Sequence, residues 1–408
     1  MSVREDVPVI KLPNPKLGKY ATLSLYVGHS IYDEPAEYPG ANHIIEHVLS
    51  SNYDVDKAVG FKGLLYNAET TGGYVRYWFS TPPEHFQYCL NFLKKISSEP
   101  EFKHVKREGN AVRQELLTLL EDTDYHMELA QIKTLFPNTA YARGSDAQLE
   151  LEAIPRFNAR MMKNYYDYNY VNKMFIVISG GPSVVNGVGT TKTIPRNMVS
   201  SVPRMICGPF PNKHKNVVHI QRAEIEKSKC VLTFYNPPPC GERNENVLLE
   251  HVIELTSRVL SSGLDSLLYK VLRDKLQLVY SLSCSFNYEP YGILIEISWS
   301  CDTNKVKKSV QAIFGVLEKF KPTHFNGHKS LYIEGLVKNT IISSDDIVET
   351  YGGDLVTWGR YTKVENIIKG LEKTKPNDCV DVVNKLMKRE RCFLIHSSSK
   401  ARPPISKF

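Results

Sequence analysis

The chain has 408 residues, 42% hydrophobic and 23% charged, with a formal net charge of +7. That length allows two or three domains with cores of their own, in the proportions of a water-soluble globular protein. No apolar run reaches the roughly 18–20 residues that span a bilayer. The basic clusters (Lys305, Lys307 and Lys308; Lys385, Lys388, Arg389 and Arg391) are short and interrupted, so they read as solvated helix faces and not as a nucleic-acid surface.

The N-terminal segment Met1–Pro8 has no apolar stretch of the secretory kind and carries early acidic residues, unlike a transit peptide. A cytoplasmic or other intracellular location is therefore expected. Cys89, Cys207, Cys230, Cys240, Cys284, Cys301, Cys379 and Cys392 show no C-x-x-C spacing and are expected to be buried thiols. Along the chain, Tyr20–Val27 reads as a strand ended by Gly28, and a turn-rich stretch leads to a helix from Ala41. Tyr74–Ser80 has the aromatic and β-branched content of another strand. Pro83–Ile96 and Val105–Leu120 carry helical spacing, and Phe175–Ser179 is a short buried-type strand.

From Gly180 to about Lys215 the composition shifts to Gly, Pro, Ser, Thr and Asn, which marks a connector. The second half then repeats the order of the first. A strand (Cys230–Tyr235) is followed by helices (Asn246–Leu260 and Leu267–Lys275) and further strands (Val279–Tyr288 and Gly292–Trp299). The expected fold class is α+β, two similar αβ halves of ordinary domain size. The expected boundaries are 1–195 for the first domain, 196–215 for a linker and 216–408 for the second.

The chemistry-bearing feature is His43-Ile44-Ile45-Glu46-His47. Histidines four apart on a helix project from one face, and two neutral imidazoles there suit zinc. Glu46, three residues after His43, lies on nearly the same face, within reach of a water on the metal. The order H-x-x-E-H is the inverted zincin motif. A catalytic zinc site takes three protein ligands, and Glu115 is the candidate for the third. Glu108 lies two turns earlier on the same helix face, placed to hold a histidine ring by hydrogen bond.

On these residues the chain resembles the pitrilysin-type metallopeptidases, especially the shorter group that includes mitochondrial processing peptidase subunits. Gly28 and Glu34 are similar to the family's glycine and acidic residue after the first strand. Gly40-Ala41-Asn42-His43 resembles its approach to the zinc helix, with Asn42 a residue type not expected there. Asn67-Ala68-Glu69-Thr70 resembles the family's N-A-x-T element, and Glu108 and Glu115 its pair of downstream glutamates. The segment Leu267–Tyr280 resembles the one whose arginine and tyrosine contact the scissile region, here Arg273 and Tyr280. Two departures stand out: the Phe-x-Gly-Thr run is absent after Ser51, and the His47 to Glu115 spacing is shorter than usual.

The resemblance implies a peptide hydrolase with one Zn2+ per chain, held by His43, His47 and Glu115. Glu46 would be the general base, with Tyr280 and Arg273 as further catalytic groups and Asn67, Ala68 and Thr70 binding an extended substrate by β-addition. The expected partners are a peptide or protein substrate and a second chain, as a homodimer or as a heterodimer with a related chain. No nucleic acid and no membrane are expected. A non-catalytic homologue serving as a scaffold or assembly subunit is the alternative.

Overall fold

The computed structural model describes residues 7–13, 20–51, 64–98, 100–185, 194–199, 217–237, 247–289, 291–342, 344–400 and 405. Most of the expected linker, residues 200–215, and the segment 52–63 after the motif helix lie outside this set, as do Cys207 and Cys240. The strands form two sheets. The first contains β1 (Val9–Pro13), β2 (Ala21–Val27), β3 (Leu65–Thr70), β4 (Val75–Thr81) and β5 (Met174–Gly180) in the order β1-β5-β2-β4-β3. The second contains β6 (Val217–Gln221), β7 (Ser228–Asn236), β8 (Ser281–Glu289), β9 (Gly292–Cys301) and β10 (Cys392–Ser398) in the order β6-β10-β7-β9-β8.

Position by position the two orders are the same. Each sheet has one parallel pair, β1 with β5 and β6 with β10, and antiparallel pairing elsewhere. This is the expected fold class of mixed helices and sheets in two similar halves.

The chain divides into two compact units that are discontinuous in sequence. The first comprises Met1–Glu121, Asn138–Pro203 and Val337–Thr362, and the second Asp122–Pro137, Arg204–Leu336 and Lys363–Phe408. One crossing, after Pro203, falls in the expected connector. The continuous domains 1–195 and 216–408 differ from these units by two exchanged segments, for which there is a physical reason: a sheet has two faces. In the first unit β2 and β5 are buried along their whole length. The sequence-local helices α1 (Ala41–Ser51), α2 (Val105–Glu121) and α3 (Ala147–Ala153) belong to this unit. So does α4 (Ser344–Trp358), which comes from far along the chain and packs on β2 and β5.

Ile347, Val348, Leu355 and Val356 of α4 join Ile10, Leu12, Tyr26, Phe175 and Val177 in one apolar cluster. At Gly352 an added Cβ would lie 2.4 Å from the Tyr26 ring, so only glycine permits this approach. The Tyr26 hydroxyl donates to the Val348 carbonyl at 2.9 Å. Arg76 of β4, 1% exposed, meets Asp345 at 2.8 Å and Glu349 at 3.3 Å on the same helix. In the second unit the exchanged helix Thr123–Leu135 packs on β10 and β6.

Cys89, Cys230, Cys301, Cys379 and Cys392 are buried free thiols and Cys284 is a half-buried one. Among the described residues no helix is long and apolar enough to cross a membrane.

Candidate metal centre

Helix α1 is amphipathic by spacing: Ile44, Ile45, Val48 and Leu49 are buried, and the two histidines occupy the remaining face. Its start is held by Glu34, a buried carboxylate that accepts from the backbone N–H of Gly40 and of Asn42, both at 2.9 Å, and from Asn42 Nδ2 at 2.8 Å. A carboxylate there satisfies N–H groups that have no partner within the helix and lies at the positive end of its dipole. Burial pushes the Glu34 carboxyl up to about 7, against the pull of its hydrogen bonds to Asn42 and Gly40.

Asn42, the residue out of keeping with the family pattern, is fully buried and saturated. Its Nδ2 also reaches the Tyr165 hydroxyl at 3.2 Å, and its Oδ1 accepts from the Tyr170 hydroxyl at 3.0 Å. The Tyr165 hydroxyl in turn meets His29 Nε2 at 2.9 Å, and burial pulls that imidazole down to about 3, so it is neutral. A buried polar network thus anchors the turn that carries His43.

The two histidine rings stand 5.0 Å apart between centroids. Glu115, on α2, brings one carboxylate oxygen to 3.4 Å from His43 Nε2 and 3.6 Å from His47 Nε2. One ligand atom from each of the three residues lies within 4.8 Å of the others, so the set can hold a metal ion. Ligand bonds of about 2.0–2.1 Å in a tetrahedron space the donor atoms by about 3.3–3.4 Å. The two Glu115–histidine separations are within a few tenths of an ångström of that. Two nitrogens and one oxygen are a donor set that a borderline-soft divalent ion accepts.

Burial lowers the His43 imidazole, but hydrogen bonds to Glu115 and Glu150 outweigh it and push it up to about 10. A metal ligand must offer a lone pair, so ion uptake at this ring would release a proton. His47 is lowered, by burial first and then by the neighbouring His43 charge. Glu46 is buried, and its Oε2 accepts from Thr70 Oγ1 at 3.1 Å. Burial pushes its carboxyl up to about 7, against the field of His43.

The other sequence-designated residues fall in three places. Glu108 lies 4.0 Å from His47 Nδ1, an ion-pair separation beyond hydrogen-bond length, and its Oε1 accepts from Arg107 Nε at 2.7 Å. Asn67, Ala68 and Thr70 sit on β3, which ends the strand order of the first sheet among the described residues. Thr70 points back to Glu46, and Asn67 Oδ1 accepts from the Ala68 N–H at 3.0 Å.

Arg273 and Tyr280 belong to the second unit. Arg273 is on a π-helix, Tyr269–Lys275, where spacing alone suggests an ordinary α-helix, and its Nη1 donates to the Tyr280 carbonyl at 2.8 Å. Tyr280 precedes β8, which runs Ser281–Glu289 where the expected strand ran from Val279 to Tyr288. Its hydroxyl accepts from Lys227 Nζ at 3.0 Å and donates to Asp302 Oδ1 at 3.1 Å.

Residues that the sequence alone does not single out also shape the site. Glu150 of α3 puts Oε1 2.8 Å from His43 Nδ1. A cavity of about 110 Å³ beside the histidines is lined by Ile31, Glu34, Gly40, His43, Glu46, Thr70, Gly144 and Glu150. The only local signal for Glu150 is indirect: a glycine stands three residues before His43.

Two similar halves, each built on a five-stranded sheet of the same order, are also what comparison with known protein families finds. The sequence profile of the insulinase domain (peptidase family M16) matches residues 10–144, and that of the peptidase M16 inactive domain matches residues 162–327. The chain belongs to peptidase family M16, the insulinase family. Comparison with curated proteins finds no match.

Among solved structures it is similar to a protease from Helicobacter pylori at 14% identity, with a TM-score of 0.79 and 98% of each chain covered. A peptidase M16 inactive domain from Pseudomonas fluorescens gives 14% identity and 0.74, over 99% of this chain and 98% of that one. Complex III2 from Candida albicans, with Inz-5 bound, contains a chain at 10% identity and 0.70, over 95% of this chain and 93% of that one. At such identities the likeness concerns the fold.

Proposed function

We propose that this protein is a zinc-dependent endopeptidase that cleaves extended peptides or precursor segments. The observation that carries the reading is the convergence of His43, His47 and Glu115 donor atoms with the Glu46 carboxylate beside them. His43, His47 and Glu115 would hold a zinc ion, which would supply Lewis-acid activation of a water and of the scissile carbonyl. Glu46, oriented by Thr70, takes the proton of the attacking water and passes it to the leaving amine nitrogen. The edge that β3 forms among the described residues, at Asn67, Ala68 and Thr70, pairs with the substrate backbone as an added strand.

In this reading the first unit is catalytic, and the Arg273–Tyr280 segment hydrogen-bonds the developing oxyanion or the adjacent backbone. It does so from a second copy of the chain or from a related one. The decisive experiment compares zinc content and peptide cleavage in the wild type and Glu46→Gln. One zinc per chain in both, with cleavage lost in the variant, is expected; unchanged cleavage refutes the mechanism. Mixing Arg273→Ala chains with Glu46→Gln chains should restore activity, and no recovery counts against a site shared between copies.

A second reading, a non-catalytic assembly subunit, takes support from the Pseudomonas inactive domain and the Complex III2 chain among its structural neighbours. It predicts no stoichiometric zinc and no cleavage.

A further inference from the structure

The two histidines of the metal set are held differently. His47 Nδ1 has Glu108 at 4.0 Å, and that carboxylate is already engaged by Arg107. His43 Nδ1 has Glu150 Oε1 at 2.8 Å, from a carboxylate side chain only 9% exposed. Glu150 projects from α3, whose N-cap Asp146 accepts from the Gln148 N–H, so the short helix has a fixed start.

We infer that Glu150 is the positioning residue of the first histidine ligand, and that Gly40 is glycine to make room for it. The inference rests on the metal reading above. A neutral imidazole has one proton, and a carboxylate 2.8 Å from Nδ1 draws that proton to Nδ1. Nε2 is then left with a bare lone pair, aimed at the side where Glu115 lies. The hydrogen bond also stops rotation of the ring about its side-chain torsions and makes Nε2 a stronger donor to the metal.

Gly40 supplies an independent mark of this arrangement. Its φ of +80° is a left-handed conformation that glycine adopts without strain. A Cβ built there would lie 2.2 Å from Glu150 Cγ and 2.5 Å from Cδ. Any side chain at position 40 therefore displaces the Glu150 carboxylate from His43. The start of the motif helix and a carboxylate 107 residues beyond His43 are thus built against one another.

The test is zinc affinity of the full-length protein, read by competition with a chromophoric chelator. Glu150→Ala should weaken zinc binding by about 10–100-fold. Glu150→Gln, whose amide oxygen can still accept from Nδ1, should recover part of that loss. Gly40→Ala should weaken binding in the wild-type background and by less than about 2-fold when combined with Glu150→Ala, because the two changes break one contact.

Far-UV circular dichroism checks each variant for folding; if Gly40→Ala does not fold, the comparison of Glu150→Gln with Glu150→Ala decides. Wild type with one tightly bound zinc and Glu150→Ala within about 2-fold of it overturns the inference while leaving the metal reading intact. Independent effects of Gly40→Ala and Glu150→Ala overturn it equally. A wild type that takes up no zinc removes the metal reading and this inference together.

Discussion

Replacing Asn42 with leucine should cost the first unit far more stability than a change of one buried side chain of similar size suggests. Asn42 is fully buried and makes three side-chain hydrogen bonds, two from Nδ2 to Glu34 and Tyr165 and one to Oδ1 from Tyr170. Leucine fills the space and makes none of them. The buried Tyr170 hydroxyl then loses its acceptor, at about 1–3 kcal/mol. Glu34 loses one of three donors; a hydrogen bond to a charged group is worth about 1.5–3 kcal/mol. The Tyr165 hydroxyl keeps His29 and adds little.

The expected loss is therefore about 3–5 kcal/mol. Urea unfolding followed by tryptophan fluorescence measures it, since Trp78 and Trp358 both lie in the first unit. The decisive comparison adds Tyr170→Phe, which removes the stranded hydroxyl. The double variant should be at least about 1 kcal/mol more stable than the sum of the single losses implies. Additivity within about 0.5 kcal/mol would show that Asn42 and Tyr170 do not depend on one another, and would refute the network.

Arg76 offers a test of charge burial. Arg76→Met removes the buried cation together with its desolvation and leaves carboxylates that water can reach, with Asp345 30% and Glu349 58% exposed; a loss below about 2 kcal/mol is expected. Asp345→Asn combined with Glu349→Gln instead strands the guanidinium with Glu69 and should cost about 3–5 kcal/mol; urea midpoints in the reverse order refute this account. At Asp354 on α4, burial pushes the carboxyl from 3.8 up to about 7. The folded state then holds a proton that the unfolded state has lost between those two values, so this residue's contribution to stability falls as pH rises from about 4 to 7. Asp354→Asn should be neutral below pH about 4 and stabilising above pH about 7. The effect should be at most about 4 kcal/mol, the full linkage value for a shift of that size. An equal effect of the substitution at both ends of that range would refute the assignment.

Several elements were legible because they are local. A spacing of four places His43 and His47 on one face of α1, and a spacing of seven places Glu108 and Glu115 on one face of α2. The repeated order of strands and helices marked two similar halves, and the sheets share one topology. The π-helix at Tyr269–Lys275 was not legible, because its sequence carries the apolar spacing of an α-helix and its extra residue per turn is set by packing.

Helical and strand periods and the grouping of donor side chains on one face follow from backbone geometry over a few residues, and the sequence by itself determined them here. Only the tertiary structure decided which distant segments complete the cores and the site. It sent Ser344–Trp358 to the sheet of the first unit and Thr123–Leu135 to that of the second. It also set Glu150 on His43 and closed the network around Asn42. Apart from the Asn42–Glu34 bond, eight positions apart, the hydrogen bonds among those contacts join residues more than a hundred positions apart. Such contacts exist because buried apolar faces need covering and buried polar groups need partners, and no local spacing specifies which residue answers that need.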